Sequence, residues 1–268
     1  SGVRYGHLVE ETRAAVALLS RSIQIVSEGP DAKPDGFPES AGTYFGGHLI
    51  ARQGFSAFQL QGVELKQMGQ GGRMGHYPVH FHMAQTTPPN TYVKDSSVNE
   101  SMTRWMVVHA TNGVTFARNV GWKSIGHGFY IEDGSEIDNK FQTNIGIYAR
   151  PALDQATVNP RKVPGILAAD RITLDDNVPF HTDVDHPTAF WIMNGWNDFE
   201  YNVAVGAGTC GTCFWLLPGA NSGMSRSEPM VRNFKGYAAM QGSQVVTTIP
   251  MEDNPLGRAG LTPLRKFY

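Results

Sequence analysis

Short runs of alternating residues recur along the chain, at residues 79–82, 106–109, 129–132, 190–193 and 214–217. In a β-strand, successive side chains point to opposite faces. The first and third positions of every run are apolar, so stacking the runs builds one continuous interior. The intervals between them are those of a solenoid, apart from one that is more than twice as long. The pattern predicts parallel strands stacked rung upon rung.

A second strand follows several of these runs, at residues 92–95, 114–117 and 140–143, and Asn-Gly pairs mark the corners. We therefore predict an all-β fold, a right-handed parallel β-helix of the pectin-lyase-like solenoid type. A β-sandwich is the alternative, although its hairpins require shorter spacing. The long interval predicts an additional rung near residues 166–178 together with a loop.

The N-terminal part of the chain has a different pattern. Residues 22–26 alternate as a strand does, and residues 27–40 contain three prolines, which is typical of a surface loop. We assign residues 1–26 to the end of a preceding β-rich domain or to N-terminal cap strands, and residues 27–268 to the β-helix. The first residues suggest a piece of a longer parent protein.

The last outward position of each of the first three runs carries a histidine or a carboxylate. His80 and His82 share one face of their strand, and stacking places His82, His109 and Glu132 on consecutive rungs about 4.8 Å apart. An earlier run around residue 48 would bring His48 over His80. The alignment predicts a histidine and carboxylate ladder on the outer face.

Two imidazoles with one carboxylate form a donor set used for zinc, manganese and iron(II). We take His82, His109, Glu132 and His48 as candidate metal ligands. His80, His82, His109 and Glu132 are also candidates for acid–base catalysis. The alternative is that these histidines are solvated or packed without a ligand.

Glycoside hydrolysis commonly uses two carboxyl groups. Asp133 adjoins Glu132, but neighbouring strand residues point to opposite faces, so Asp133 would serve only if the chain bends at Gly134. An ordinary Asp-Gly turn is the competing interpretation. Asp95 is the other candidate partner.

Further residues suit sugar binding. A column of Tyr130, Trp191 and Trp215 would offer sugar rings a stacking surface, unless residues 144–159 cover it as core. The cations Lys94 and Arg104 would meet the carboxylates of an acidic glycan, or serve surface solubility. His127 precedes a strand in a Gly-flanked turn and would enter the same cleft.

Composition narrows the choice of partners. Lys+Arg total 22 against 24 Asp+Glu, which argues against nucleic acid or an anionic membrane held by bulk electrostatics. We find no apolar run of about 18 residues, as a membrane span needs, and no signal-peptide pattern at the start. Cys210 and Cys213 lack the second CxxC pair of a zinc ribbon, so we expect two small buried or half-buried residues, or else a local disulfide.

Longer motifs carry a family resemblance. Phe45-Gly46-Gly47-His48, the stretch 77–82 and the stretch 126–134 resemble the cell-migration-inducing hyaluronidase and transmembrane hyaluronidase family, to which fibrocystin-L is more distantly related. The resemblance extends from about Leu18 to about Leu217. It implies the parallel β-helix that follows a domain named for eight glycines.

The same resemblance implies an extracellular or cell-surface protein, secreted or periplasmic if bacterial, that binds and depolymerises hyaluronan and needs calcium. Calcium prefers oxygen ligands, so its ion would lie at residues 175–176 or 183–185. We expect hydrolysis of hyaluronan or a similar acidic polysaccharide. A lyase that uses β-elimination and a non-catalytic glycan- or protein-binding module remain alternatives.

Overall fold

The computed structural model describes residues 14–27, 45–71, 75–132, 136–150, 187–207, 211–216 and 266–268, and the backbone of four further strands. Those strands are β1 (Gly2–Tyr5), β2 (Leu8–Glu11), β16 (Arg171–Asp175) and β17 (Val178–His181). The described residues form strands and no helix. A helix long and apolar enough to span a membrane is accordingly not found among them.

Eighteen strands form three parallel sheets of six strands each. The first sheet contains β4 (Leu49–Arg52), β7 (Val79–Thr86), β10 (Met106–Asn112), β13 (Phe129–Ile131), β18 (Thr188–Ile192) and β21 (Thr212–Leu216). The second contains β5 (Gln59–Gln61), β8 (Tyr92–Lys94), β11 (Thr115–Ala117), β14 (Lys140–Gln142), β19 (Asp198–Glu200) and β22 (Lys266–Phe267). The third contains β3 (Ile23–Val26), β6 (Val63–Lys66), β9 (Ser97–Asn99), β12 (Val120–Ile125), β15 (Ile145–Arg150) and β20 (Val203–Ala207).

The chain visits the three sheets in turn and advances one strand per coil, which makes the fold a right-handed parallel β-helix and confirms the predicted class. The predicted register of the first sheet is also confirmed. Its rungs align Val79 with Met106, Met106 with Phe129, and Phe129 with Phe190.

Two features differ from the prediction. The rung expected near residues 166–178 is wrong, because β13 pairs directly with β18 and the described strands β16 and β17 form an antiparallel pair of their own. Of the third sheet, only the edge strand was among the predicted strands, at residues 22–26. Its edge strand β3 lies within the first 26 residues and pairs in parallel with β6.

Aromatic rings stack along the interior. Phe116, Phe141 and Phe199 follow one another with ring centroids 4.9 and 4.7 Å apart, since each occupies the same position on successive rungs. Phe129 and Phe190 stack at 4.7 Å in the first sheet. This repeat of inward apolar positions is the core that the alternating pattern predicts.

Trp105, just before β10, lies fully buried inside the coil. Two rungs of the third sheet accommodate its indole by carrying glycine at an inward position. A Cβ at Gly121 would lie 2.2 Å from the Trp105 ring, and one at Gly146 would lie 2.7 Å from it. The glycines thus provide space for one large side chain from a neighbouring corner.

Asparagines stack at the corner between the second and third sheets. The side-chain oxygen of Asn144 accepts from the backbone N–H of Asn119 at 3.0 Å, and Asn202 accepts from Asn144 in the same way. Asn144 also donates to the carbonyl of Phe116. These bonds satisfy backbone groups that the turn removes from the sheets.

Cys213 lies on β21 as an exposed free thiol, so its expected burial is wrong. Cys210, and with it the question of a local disulfide, lies outside the described residues.

Candidate functional site

Strands β7, β10 and β13 bring three of the predicted polar residues together. His82 and His109 are register partners, and their Nδ1 atoms lie 3.1 Å apart. Glu132 directly follows β13, and its backbone N–H donates to the carbonyl of Val108. Its Oε2 lies 3.9 Å from Nδ1 of His109. Stacking alone therefore assembles this cluster.

His80 completes the cluster from the same strand as His82. Its Nε2 lies 3.8 Å from Oε2 of Glu132. One nitrogen from each of His80, His82 and His109 lies within 4.8 Å of the other two. On the other side of the ring, Nδ1 of His80 is 2.7 Å from the carbonyl oxygen of Gly75. Because a carbonyl only accepts, Nδ1 carries the proton and Nε2 presents its lone pair to the cluster.

The four residues of the cluster differ in solvent exposure. His80 is 1% exposed and Glu132 is 8% exposed, whereas His82 and His109 are half-buried. Burial holds the pKa of His80 well below its usual value, against the opposing effect of the Gly75 carbonyl, and the nearby His82 and His109 lower it further. His80 is accordingly a neutral imidazole at neutral pH.

A β-bulge follows the paired histidines. The register shifts between His109 and Thr111, and Ala110 adopts a φ of 44°. The backbone N–H of Ala110 donates to Oε1 of Glu136 at 2.8 Å, and Glu136 is fully buried. Glu136 thus positions the strand end next to His109. It lies outside the alternating runs, so the sequence pattern does not single it out.

His48 does not join the cluster as predicted. The register of β4 places Ile50, not His48, opposite His80. The ring of His48 lies instead 4.5 Å from that of His76. The alignment of the earlier run was wrong because the long connection to β7 gives no sequence signal for register.

The aromatic column exists, but it is not an open surface. Tyr130 stacks on Trp191 at 5.9 Å between ring centroids, and Trp191 contacts Trp215 at 5.4 Å. Tyr130 and Trp191 are 0% and 2% exposed, so their predicted role as an exposed sugar platform is wrong. Only Trp215 of the three is half-buried.

Two polar residues help to cover this column. The guanidinium of Arg104 lies 3.5 Å above the Tyr130 ring and donates to the Tyr77 hydroxyl at 2.8 Å. His127 packs 4.4 Å from Trp191, and its Nδ1 accepts the backbone N–H of Thr188. Both are buried, so their predicted contacts with a glycan are wrong. Both side chains pack against the buried aromatic column.

Lys94 and Asp95 belong to another side of the solenoid. Lys94 lies on β8 in the second sheet, with its ammonium 4.2 Å from the centroid of the Tyr92 ring. Asp95 follows it and binds Arg118 through two hydrogen bonds of 2.6 and 2.9 Å. Neither residue lies on the first sheet with the histidine cluster, and the catalytic role of Asp95 and the glycan contact of Lys94 stay predictions. Asp133 and the aspartates at 176 and 183–185 lie outside the described residues, as does the side chain of Asp175.

We expect Asp95→Asn to leave any glycan cleavage by the chain unchanged. Hydrogen bonding from Arg118 lowers the pKa of Asp95, so the ionised form stabilises the fold above its unfolded pKa near 3.8, and this contribution disappears as pH falls through the folded value. Because the Asp95 side chain is 35% exposed, the loss at pH 7 should be about 0–1 kcal/mol. Denaturant unfolding at pH 7 and at pH 3 measures this difference, and a loss of cleavage would return Asp95 to the site.

A cavity of about 390 Å³ lies at the end of β7. Residues 53–55 and 84–88 line it, among them the amides of Gln53 and Gln85 and the ring of Phe55. Gln85 is three residues from His82 on the same strand. Amides beside an aromatic ring form a lining suited to sugars, and the sequence pattern does not indicate it.

Comparison with known proteins places this geometry in context. Residues 44–244 match the family described as CEMIP beta-helix. The chain is 34% identical over 220 residues to Communication mutant protein F of Dictyostelium discoideum, covering 80% of this chain and 18% of that protein.

Two human proteins are similarly related. Identity is 32% over 234 residues to the Cell migration-inducing and hyaluronan-binding protein, covering 80% of this chain and 16% of the relative. It is 31% over 219 residues to Cell surface hyaluronidase CEMIP2, covering 77% of this chain and 15% of the relative. The chain thus spans less than a quarter of the length of these relatives.

Proposed function

Because this chain belongs to the CEMIP beta-helix family, we propose that it binds an acidic polysaccharide of the hyaluronan type and cleaves it by hydrolysis, outside the cell or at its surface. The names of two human relatives refer to hyaluronan binding and to a cell-surface hyaluronidase, which supports this substrate and this location. These relatives are much longer than the chain, so the proposal concerns what this β-helix contributes.

The observation that carries the proposal is the convergence of His80, His82, His109 and Glu132 on one outer face. A buried carboxylate beside imidazoles is a common arrangement for proton transfer at neutral pH. The half-buried histidines mark the side from which a substrate approaches.

We assign proton transfer to Glu132. Water adds to the anomeric carbon, the glycosidic C–O bond breaks, and Glu132 takes the proton from the water and returns it to the departing oxygen. The imidazoles orient the attacking water. The cavity beside Gln85 and the half-buried Trp215 are the surfaces assigned to neighbouring sugar rings.

Calcium does not fit this cluster. Calcium takes six to eight oxygen ligands, whereas three of the converging donors are imidazole nitrogens. No step of the proposed cleavage therefore runs through calcium at this position.

The test is incubation of the purified chain with hyaluronan, followed by measurement of chain length, reducing ends and ultraviolet absorbance. New reducing ends without the absorbance of an unsaturated uronate are expected for a hydrolase. Products that carry this absorbance would identify a lyase. Retained binding with intact polymer would leave a glycan-binding module and overturn the proposed cleavage.

A further inference from the structure

We infer that His80, His82 and His109 form a binding site for one divalent transition-metal ion of the zinc type. Each residue supplies one nitrogen, and these nitrogens lie within 4.8 Å of one another. Three histidines with room for a further ligand are a known donor set for catalytic zinc. The inference rests on the cluster itself, so it holds whether or not the chain cleaves a glycan.

The orientation of His80 is that of a metal ligand. Its Nδ1–H donates to the Gly75 carbonyl at 2.7 Å, which fixes the ring and leaves the lone pair of Nε2 pointing inward. Imidazoles that bind metals commonly donate their other N–H to a carbonyl or carboxylate in this manner.

Two buried polar atoms at the centre lack hydrogen bonds. Nε2 of His80 and Oε2 of Glu132 are buried without a hydrogen-bond partner, although they lie only 3.8 Å apart. Leaving such atoms unsatisfied in the interior is unfavourable. A cation between the rings would interact favourably with both, because one offers a lone pair and the other a negative charge.

The spacing of the other two histidines matches a coordination edge. With zinc–nitrogen bonds of about 2.0–2.1 Å, two ligands of a tetrahedral ion lie about 3.3 Å apart. The Nδ1 atoms of His82 and His109 are 3.1 Å apart. The nitrogen of His80 lies within 4.8 Å of the other two, so a contraction of up to about 1.5 Å across the cluster closes the third edge.

The three imidazole nitrogens and the nearby carboxylate favour a particular class of ion. Imidazole suits zinc and its transition-metal neighbours, and Glu132 adds negative charge 3.8–3.9 Å from two of the nitrogens, which favours a dication. The sequence pattern proposed Glu132 and His48 as ligands alongside His82 and His109. The structure assigns the third nitrogen to His80 and removes His48.

The test is metal analysis of the chain after stripping with a chelator and dialysis against Zn²⁺, Co²⁺ or Ca²⁺ in turn. We expect about one Zn²⁺ or Co²⁺ per chain by mass spectrometry, a visible absorption band of tetrahedral Co²⁺, and no displacement of the bound Co²⁺ by added Ca²⁺. His82→Gln should weaken binding by more than about 100-fold, because even outer partners of metal ligands are worth 10–100-fold.

His48→Gln is the matched control, since His48 is also partly buried beside another histidine but lies outside the cluster. It should bind Zn²⁺ within about twofold of the parent chain, well below the 10–100-fold effect of losing an outer partner, because His48 contributes no nitrogen to the cluster. Sub-stoichiometric zinc in the parent, or equal loss in both variants, overturns the site. His82 is half-buried, so its variant should remain folded, as circular dichroism verifies. Metal binding without glycan cleavage would refute the proposed hydrolysis only, and cleavage without metal would refute the metal site only.

Discussion

Glu132→Gln is expected to slow hyaluronan cleavage by about 10²–10⁴-fold, the usual contribution of one acid–base group. Glutamine keeps the shape of the side chain but no longer exchanges a proton. Because Oε2 of Glu132 makes no hydrogen bond, the substitution removes none at that atom and the fold should persist. Reducing-end release at saturating hyaluronan measures the rate, and thermal unfolding verifies the fold.

Glu100→Gln is the matched control for this experiment. Glu100 is a half-buried carboxylate 3.5 Å from Lys123, but it follows β9 in the third sheet and not the first. Cleavage by this variant should remain within about twofold of the parent rate, since it removes only a partly exposed ion pair. Equal rates for Glu132→Gln and the parent chain would remove Glu132 from the mechanism. Equal losses in both variants would point to a general effect of charge.

Trp105→Ala is expected to destabilise the chain by about 3–5 kcal/mol, the range for deleting a buried tryptophan. The indole is fully buried, packs on Phe129 and lies against the glycines of neighbouring rungs. At about 2–4 °C per kcal/mol for a chain of this size, the Tm should fall by roughly 6–20 °C. Calorimetry measures the change.

A double-mutant cycle tests whether Gly121 exists to accommodate this indole. Gly121→Ala alone should cost about 1–3 kcal/mol by overpacking, because its Cβ would lie 2.2 Å from the Trp105 ring. In the Trp105→Ala background, the nearest obstacles are gone and the same change should be close to neutral.

Gly128 supplies the control for the cycle. A Cβ there would meet the Trp105 ring at 2.3 Å and also the backbone oxygen of Ala189 at 2.6 Å. Gly128→Ala should therefore remain destabilising in the Trp105→Ala background. If Gly121→Ala is equally costly with and without Trp105, the close approach of the two residues does not explain the glycine.

Regular alternation made the first sheet predictable. Inward positions such as Val79, Met106 and Phe129 carry apolar residues on every rung, and a slip by one residue would expose them all. The same alternation correctly predicted that His82 and His109 are register partners. His80, His82, His109 and Glu132 could therefore all be placed on one face as soon as the strands were aligned.

The third sheet and the fate of the outward residues were not predictable in this way. Its inward positions Gly121 and Gly146 give no hydrophobic signal, because the apolar group that fills them comes from Trp105 at another corner. Tyr130 and Trp191 alternate as outward residues do, yet Arg104 and His127 cover them from preceding turns. Residues in turns cause this burial, and the sequence of a turn has no repeating hydrophobic pattern from which it could be predicted.

The amino-acid pattern was enough to predict the solenoid, the register of the first sheet and the shared face of the histidines and Glu132, because these follow from a local two-residue period repeated on every rung. Three-dimensional contacts were needed to show that His48 lies outside the cluster, that Nε2 of His80 faces it, and that Tyr130 and Trp191 are buried. The physical reason is that side-chain burial and tautomer depend on contacts between distant segments, such as the Gly75 carbonyl that turns Nε2 of His80 inward.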